Sequence, residues 1–497
     1  METPLTRAEH IDDRYRRYIS HVILLLLVHV CAIACHDSVP DDKEITPLKI
    51  GANGLTSDEL LDPLTCQSCH PHHYAEWRAS VHAFASEDPV FRALNELGQT
   101  ETNGALGDFC VRCHAPVALA LDQTTDGLNL SEVDHKYQGI TCAFCHQISA
   151  VNGTHNNPLT WANDGIMRGG LSTPEPNSVH RSKYTQLLDG SQLESSQMCG
   201  ACHDIVTPTK VHLEQTYLEW LQSLFSSPDS TRRNSCADCH MPTRRLPNPS
   251  TAQTTYHDHL MPAVDLVSNN VHAEALQSLS QRSLIEEVKA ELELTLLSEL
   301  CGEIGVDGGG DFEVYLENVS AGHRFPSGAA LDRRLWAELT VTDIDGHILY
   351  TSGAITAEQP VVKAALDDPQ LWVLRDQAFN AAGEETHRFW DIASVVRNTL
   401  PPSTLLSRTN ENFEESHVLH RYRFGTELPI YEVRLRIFLR PIALELLNEL
   451  VNLELLNEEV LLNMPTYELS TATRIWRADE ALLQGTLSGR TLLCTPL

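Results

Sequence analysis

The chain has 497 residues, enough for two or three domains, and its composition, 42% hydrophobic and 21% charged, is that of a globular protein. Its formal net charge of −31 argues against nucleic acid or an anionic membrane surface as a partner. A basic or neutral protein partner fits this charge, and so does a simple need for solubility.

The N-terminus has the pattern of an export signal. Three arginines precede an apolar run whose core, residues 19–30, is shorter than a membrane span. The run ends in Ala-Ile-Ala-Cys at Cys35, which resembles a bacterial lipobox with Ala32 in place of the usual leucine. We predict that residues 1–35 are a signal peptide with a lipobox, and that the chain is a lipoprotein of the bacterial periplasm, outer membrane or cell surface. A plain cleaved signal and an uncleaved anchor are the alternatives.

Five copies of one motif, C-x-x-C-H, follow in the first half of the chain. They are Cys66-Cys69-His70, Cys110-Cys113-His114, Cys142-Cys145-His146, Cys199-Cys202-His203 and Cys236-Cys239-His240. In the attachment of c-type haem, both thiols bond covalently to the haem edge and the histidine binds the iron. Random placement of 14 Cys and 24 His predicts roughly 0.02 copies of this motif, so chance does not explain five.

Zinc sites and disulfides are the other common uses of paired cysteines. Neither needs a histidine after every second cysteine, so we predict five covalently attached haem c groups. A variant motif at Cys31, Cys35 and His36 abuts the core of the export signal, where haem attachment is not expected.

The predicted fold is multidomain. Residues 36–265 hold every motif, have little sustained periodicity, and are expected to form a mainly α and irregular pentahaem cytochrome domain of short helices and loops. Haem faces would supply the core of this domain. Part of it is duplicated: Tyr-x-Glu-Trp-x-x-Ser occurs at 74–80 and again at 217–223, and His82 beyond the first copy is matched by Phe225 beyond the second.

The second half of the chain has a different pattern. Residues 266–305 are predicted to be a helical linker, because apolar residues recur there at spacings of three and four. Residues 306–497 are predicted to form an antiparallel β-sandwich-like domain, because the segments at 335–343 and 431–440 alternate in polarity. Asp345-Gly346 is a predicted hairpin turn, and LELLNE, repeated at 444–449 and 453–458, lies in a predicted leucine-rich helix.

These motifs resemble those of the multihaem c-type cytochromes grouped around hydroxylamine oxidoreductase and the tetrahaem cytochrome of nitrifying bacteria. A motif followed by Trp-x-x-Ser-x-His, here Trp77, Ser80 and His82, is typical of that group, as are GITCAFCH at 139–146 and SCADCHMP at 235–242. The resemblance covers most of the chain after residue 60 and extends to a C-terminal β domain. The chain has no C-x-x-C-K and five motifs rather than eight, so neither a lysine-ligated nitrite reductase haem nor the hydroxylamine oxidase site is implied.

Histidine is the expected sixth ligand of each iron, because histidines are plentiful outside the motifs and methionines are few. The predicted iron ligands beyond the motifs are His82, His180, His259, His323 and His135. The resemblance implies His82 and also His259, for which His257 is the rival. His155 and His272 compete with His135.

Two further expectations concern the β half. His323 lies in the segment GHRFPSG, from which a β domain could reach back over a haem, although the same residues could build only a structural turn. Cys301 and Cys494 bracket the β half and could form a disulfide or remain two buried thiols.

Covalent haems closely spaced along one chain indicate an electron relay with no catalytic residues of its own. The expected partners are redox proteins, such as other cytochromes with basic or neutral docking surfaces. The alternative is an oxidoreductase in which one haem lacks its sixth ligand and acts on a small nitrogen or sulfur compound. A third role, docking by the β domain, is compatible with the relay.

Overall fold

The computed structural model describes residues 54–174, 179–245, 255–265, 292–304, 309–480, 482–487 and 490–495. The predicted signal peptide, its lipobox and most of the predicted linker lie outside these residues. The described residues belong to one compact unit of the chain. Among the described residues, none of the helices combines the length and the apolar character that a membrane crossing requires.

Short helices dominate the described part of the haem region. They are α1 (Ser57–Leu61), α2 (Pro63–Gln67), α3 (Pro71–Ala79), α4 (Val81–Phe84), α5 (Pro89–Glu101), α6 (Val111–His114), α7 (Pro116–Ala120), α8 (Cys142–His146), α9 (Ser196–Gly200), α10 (Thr216–Gln222) and α11 (Cys236–His240). Proline opens several of them, because its fixed φ suits a first turn and its missing N–H would interrupt a helix interior.

Two-stranded ribbons connect these helices. They are β1 (Ile148–Val151) with β2 (Leu159–Trp161), β3 (Ile166–Gly169) with β4 (Arg181–Tyr184), β5 (Asp204–Val206) with β6 (His212–Gln215), and β7 (Thr243–Arg245) with β8 (Thr255–His257). The β3–β4 pair is parallel and the others are antiparallel. The predicted α and irregular character of this region matches the described residues.

Two larger sheets build the β half. The first has the order β16-β10-β9-β21-β20, and the second has β12-β11-β17-β18 with β13 on β11 and β19 on β17. Their strands are β9 (Leu296–Ile304), β10 (Gly309–Asn318), β11 (Arg334–Thr342), β12 (Ile348–Ser352), β13 (Val373–Leu374), β16 (His417–Gly425), β17 (Glu432–Arg440), β18 (Tyr467–Glu468), β19 (Arg474–Arg477), β20 (Leu482–Leu487) and β21 (Arg490–Cys494). A separate ribbon joins β14 (Gln377–Phe379) to β15 (Ser394–Val396).

One hydrophobic core joins the two sheets. It includes Leu300 and Phe312 from the first sheet and Leu335 and Leu435 from the second, all fully buried. The alternating pattern predicted these strands, since side chains of a strand point to opposite faces in turn. Gly346 takes a φ of +83° in the predicted hairpin turn between β11 and β12.

The predicted helical linker is wrong at residues 296–304, which form strand β9. Leu292, Leu296 and Leu300 are spaced by four, and that spacing places residues on one face of a helix and equally on one face of a strand. Ser298 and Gly302 complete the buried strand face, and the Phe312 ring covers Gly302 so closely that a Cβ would lie 2.2 Å from it.

The leucine-rich segment contains two helices, α13 (Leu444–Asn452) and α14 (Glu458–Leu462), in place of one predicted helix; α12 (Val361–Asp367) precedes them. The break contains Glu454, whose φ of +61° is incompatible with a continuous helix. The leucines pack against α5 of the haem region through Val90, Ala93 and Leu97. The two halves therefore share a hydrophobic interface.

Cys301 and Cys494 form a disulfide with an S–S distance of 2.01 Å. They are paired residues of adjacent strands β9 and β21. Of the two alternatives for these cysteines, the structure has the bonded one.

Candidate haem sites

Each C-x-x-C-H motif lies on or beside a short helical turn. In the third and fifth motifs the residue before the first cysteine caps the helix: the side chain of Thr141 accepts from the N–H of Phe144, and that of Ser235 accepts from the N–H of Asp238. A helical turn puts both cysteines of a motif on one side, because residues three apart are neighbours on a helix.

The ten motif cysteines suit thioether bonds to haem. None of the ten forms a disulfide in the structure. Within the part of the chain that the structure describes, no group of three clustered metal ligands includes a motif cysteine.

Four motif histidines each face a second imidazole. The pairs and their ring-centre distances are His70–His180 at 6.4 Å, His146–His259 at 6.3 Å, His203–His82 at 6.1 Å and His240–His323 at 6.4 Å. Two imidazoles that share a metal ion, each with a metal–nitrogen distance of about 2.0 Å, put their ring centres roughly 6 Å apart. The spacing therefore fits one iron between the members of each pair.

Backbone carbonyls orient the imidazoles. Nδ1 of His146 lies 2.6 Å from the carbonyl oxygen of Arg168, and Nδ1 of His240 lies 3.1 Å from that of Pro262. An Nδ1–H that donates to a carbonyl leaves the Nε2 lone pair for a metal. Burial lowers the pKa of His82 to about 3, which favours the neutral imidazole that a metal requires.

His323 reaches the haem region from the β half. It faces His240, and its Nδ1 lies 2.9 Å from the carbonyl oxygen of Arg324. Its loop includes the cis peptide bond between Phe325 and Pro326. The structure thus places His323 opposite a motif histidine of the haem region.

The structure does not bring His135 opposite a motif histidine among the described residues. Its Nδ1 lies 3.6 Å from Glu87, and its side chain is more than half exposed. His259 occupies the place opposite His146, and the rival His257 is exposed with Nδ1 on the carbonyl of Met241.

The two other candidates named with His135 also have no motif histidine opposite them in the described structure. The ring of His155 lies 6.2 Å from that of His212, which belongs to no motif. His272 lies outside the described residues.

His114 of the second motif differs from the other four. Phe91 stacks on its ring at 4.1 Å, and its Nδ1 lies 2.9 Å from the carbonyl oxygen of Ala85. Within the described ranges, no imidazole faces it at the spacing of the four pairs. A haem attached to this motif would have no imidazole of the described residues as its sixth ligand.

The duplicated sequence corresponds to a duplicated structure. We define the first module as motif 1, helix α3 and motif 3, and the second module as motif 4, helix α10 and motif 5. Trp77 donates from Nε1 to the carbonyl of Ile140 at 2.7 Å, and Trp220 donates to that of Asn234 at 3.0 Å. Both acceptors lie two residues before a motif cysteine, so each helix fixes the second motif of its module.

The modules match in further bonds. The N–H of Ile140 donates to the carbonyl of His82, and the N–H of Asn234 donates to that of Phe225. Between these bonded positions the first module contains residues 83–139, which carry the second motif. The corresponding segment of the second module is 226–233. Sequence reasoning found the repeated helix but missed that the second motif is an insertion; the shared Cys-Ala-x-Cys-His of motifs 3 and 5 was the available signal.

The attachment cysteines of different motifs lie close together. Three pairs of thiols from different motifs lie close enough to interact: Cys66 with Cys142, Cys113 with Cys202, and Cys199 with Cys236. Cys145 also lies near enough to Cys199 to act on it electrostatically. The five motifs therefore form one connected set, with the fourth motif next to three others.

Residues 65–147, which contain the first three motifs, match the family described as Cytochrome c554 and c-prime. Together with the paired imidazoles, this match supports a multihaem c-type cytochrome. Among solved structures, it is similar to a penta-heme cytochrome c552 from Thermochromatium tepidum, with 18% identity and a TM-score of 0.56. The match covers 85% of this chain and 98% of that chain, and at this identity it shows the fold alone. No curated protein matches the chain.

Proposed function

We propose that the chain is an exported pentahaem c-type cytochrome that relays electrons between redox partners in the periplasm or at the cell surface. The proposal is supported mainly by the four facing imidazole pairs, each spaced so that it would supply both axial ligands of one haem iron. The structural neighbour that is titled penta-heme supports the count of five. Membership of the hydroxylamine oxidoreductase group stays a prediction.

Bound haem c supplies a one-electron couple whose iron rearranges little when both axial ligands are retained. The residues of this chain would hold those ligands in place, because backbone carbonyls orient the imidazoles of four of them, His146, His240, His259 and His323. The close approach of the attachment cysteines keeps neighbouring sites connected from the first motif to the fifth. The relay role thus needs no catalytic side chain.

The proposed compartment rests on two features. The N-terminal sequence predicts export, and the Cys301–Cys494 disulfide suits an oxidising compartment. A lipid anchor at Cys35 is proposed on the lipobox resemblance. Substitution Cys35→Ala should move the protein from the membrane fraction to the soluble fraction, and a variant that stays bound after salt washing would contradict the anchor.

Haem count and spin state test the relay. Mass spectrometry of the denatured mature chain should show five haem additions, and spectroscopy of the folded protein should show at least four low-spin haems. The reduced protein should pass electrons to a second cytochrome without turning over hydroxylamine, nitrite or sulfite. Fewer than four low-spin haems, or steady turnover of one of these compounds, would overturn a pure relay.

The second candidate function is an oxidoreductase with one open haem, and the observation that favours it is His114. Its site has no facing imidazole among the described residues, whereas the other four motifs have one. Substitution of His272, the rival outside those residues, gives the test. If His272→Ala leaves every haem spectrum unchanged and the wild type already shows one high-spin haem, the open site stands.

A further inference from the structure

The repeated helices α3 and α10 each place one carboxylate beside the loop of a sixth ligand. In the first module, Oε2 of Glu76 accepts the backbone N–H of His259 at 3.0 Å. In the second module, Oε2 of Glu219 accepts the backbone N–H of Arg324, next to His323, at 3.0 Å. The two glutamates occupy the same position in Tyr-x-Glu-Trp-x-x-Ser.

We infer that Glu76 and Glu219 are positioning residues for the sixth ligands of the third and fifth haems, an inference that rests on the ligand pairs of the proposed function. His259 faces His146, and His323 faces His240. In each module, the helix after the first motif therefore acts on both sides of the haem site at the other motif, which is motif 3 in the first module and motif 5 in the second. Its Trp fixes that motif, and its Glu fixes the loop of the sixth ligand.

The second carboxylate oxygen strengthens each attachment. Oε1 of Glu76 accepts from the hydroxyl of Tyr256 at 2.6 Å, and that tyrosine lies three residues before His259. Oε1 of Glu219 lies 3.8 Å from the guanidinium Nε of Arg324. Each carboxylate thus binds its ligand loop at two points, and the side chain of Glu219 is only 12% exposed. Hydrogen bonds to a charged acceptor in such surroundings are stronger than neutral ones.

The held backbone is the same stretch that orients the imidazole. Nδ1 of His323 lies against the carbonyl oxygen of Arg324, whose N–H bonds to Glu219. Nδ1 of His259 lies 2.8 Å from the carbonyl oxygen of His257, two residues before the N–H that Glu76 accepts. Release of either loop would therefore disturb the direction of the imidazole as well as its distance.

The experiment measures carbon monoxide binding to the reduced protein, because a ferrous haem with a loosely held sixth ligand binds it. Glu76→Ala and Glu219→Ala should each retain five haems by mass and gain carbon monoxide binding at one haem. Loss of a hydrogen bond to a charged group should shift the equilibrium between bound and released ligand by roughly ten- to a hundredfold. Glu76→Gln keeps an acceptor oxygen for the N–H and should restore most of the wild-type behaviour.

Matched variants separate this role from general damage. Glu96→Ala, on the exposed face of α5, should leave carbon monoxide binding unchanged. His259→Ala and His323→Ala should each open one haem fully, and the haem opened by each should be the one loosened by Glu76→Ala and Glu219→Ala respectively.

Two outcomes would overturn the inference while leaving the relay intact. In one, the histidine variants open a haem but the glutamate variants do not. In the other, Glu76→Gln is as severe as Glu76→Ala, which would indicate a requirement for charge and not for positioning. If the histidine variants open no haem, the ligand pairs of the proposed function fail instead.

Discussion

The two modules of the haem region keep the same internal hydrogen bonds but face different neighbours. Ser80 and Ser223 both donate to the carbonyl of the tryptophan three residues earlier. The residue that follows differs: His82 faces His203 of the second module, whereas Phe225 is buried against its own helix. The hydrogen bonds within each module are therefore the same, whereas the contact that His82 makes with the other module has no equivalent at Phe225.

Phe225 has a structural role in place of the ligand role. A Cβ on Gly322 would lie 3.1 Å from Trp220 and 3.3 Å from Phe225, so the backbone before His323 rests directly on these rings. The first module sends a ligand to its neighbour, and the second provides an aromatic surface for the loop of the β half. One helix pattern therefore supplies a ligand in the first module and an aromatic platform in the second.

The largest effect is expected when His82 of the first module is replaced by phenylalanine, the residue at the matching position 225 of the second module. His82→Phe should remove the sixth ligand opposite His203 and convert one low-spin haem to high spin, visible by electron paramagnetic resonance. The reverse change, Phe225→His, should leave all haem spectra unchanged, because Phe225 is buried against Trp220 and Gly322 and not opposite a motif histidine. A wholly low-spin His82→Phe protein would contradict the assignment.

A smaller effect is expected from crowding the aromatic platform. Gly322→Val places new atoms against Trp220 and Phe225, and overpacking of this kind costs about 1–3 kcal/mol. The displaced loop should weaken the His323 bond and raise carbon monoxide binding at one haem. Gly425→Val is the control, since nothing lies within 4 Å of a Cβ built there. Equal behaviour of the two variants would show that the platform does not support the ligand.

The smallest effect should come from the tryptophan bonds, and it should be equal in the two modules. Trp77→Phe and Trp220→Phe each remove one hydrogen bond to a carbonyl, worth about 1 kcal/mol of unfolding free energy. Thermal denaturation should show both variants melting a degree or two below the wild type, roughly in line with a chain of this size. A large difference between the two melting temperatures would show that the modules differ in stability although their hydrogen bonds match.

The sequence predicts local features of this fold well. Alternation at 335–343 and 431–440 indicated buried strands. A strand with one buried face shows this alternation whichever strand it pairs with. Spacing by four at Leu292, Leu296 and Leu300 did not distinguish helix from strand, and only pairing with β10 decided it.

The sequence also pointed to candidate ligand histidines without showing which motif histidine each one faces. Four of the predicted distal histidines lie opposite motif histidines, but the sequence could not give the pairs. His180 faces His70 and His82 faces His203, so each pair joins residues more than a hundred positions apart. His135 was expected on the strength of its place before a motif, and Glu87 holds it elsewhere. Glu76 and Glu219 could be found in the sequence as part of the repeated motif, but the loops that they bind could not.

The insertion at residues 83–139 bears on how such chains gain or lose a haem. It leaves and re-enters the first module between two residues that are hydrogen-bonded to each other, so its removal would need only a short joint like 226–233. It also carries α5, whose apolar face is covered by the leucine-rich helices α13 and α14. The second haem motif and the C-terminal leucine-rich helices are thus linked through a shared surface, although far apart in sequence. Homologues that lack the one are expected to lack the other, and an engineered tetrahaem chain would have to lose both.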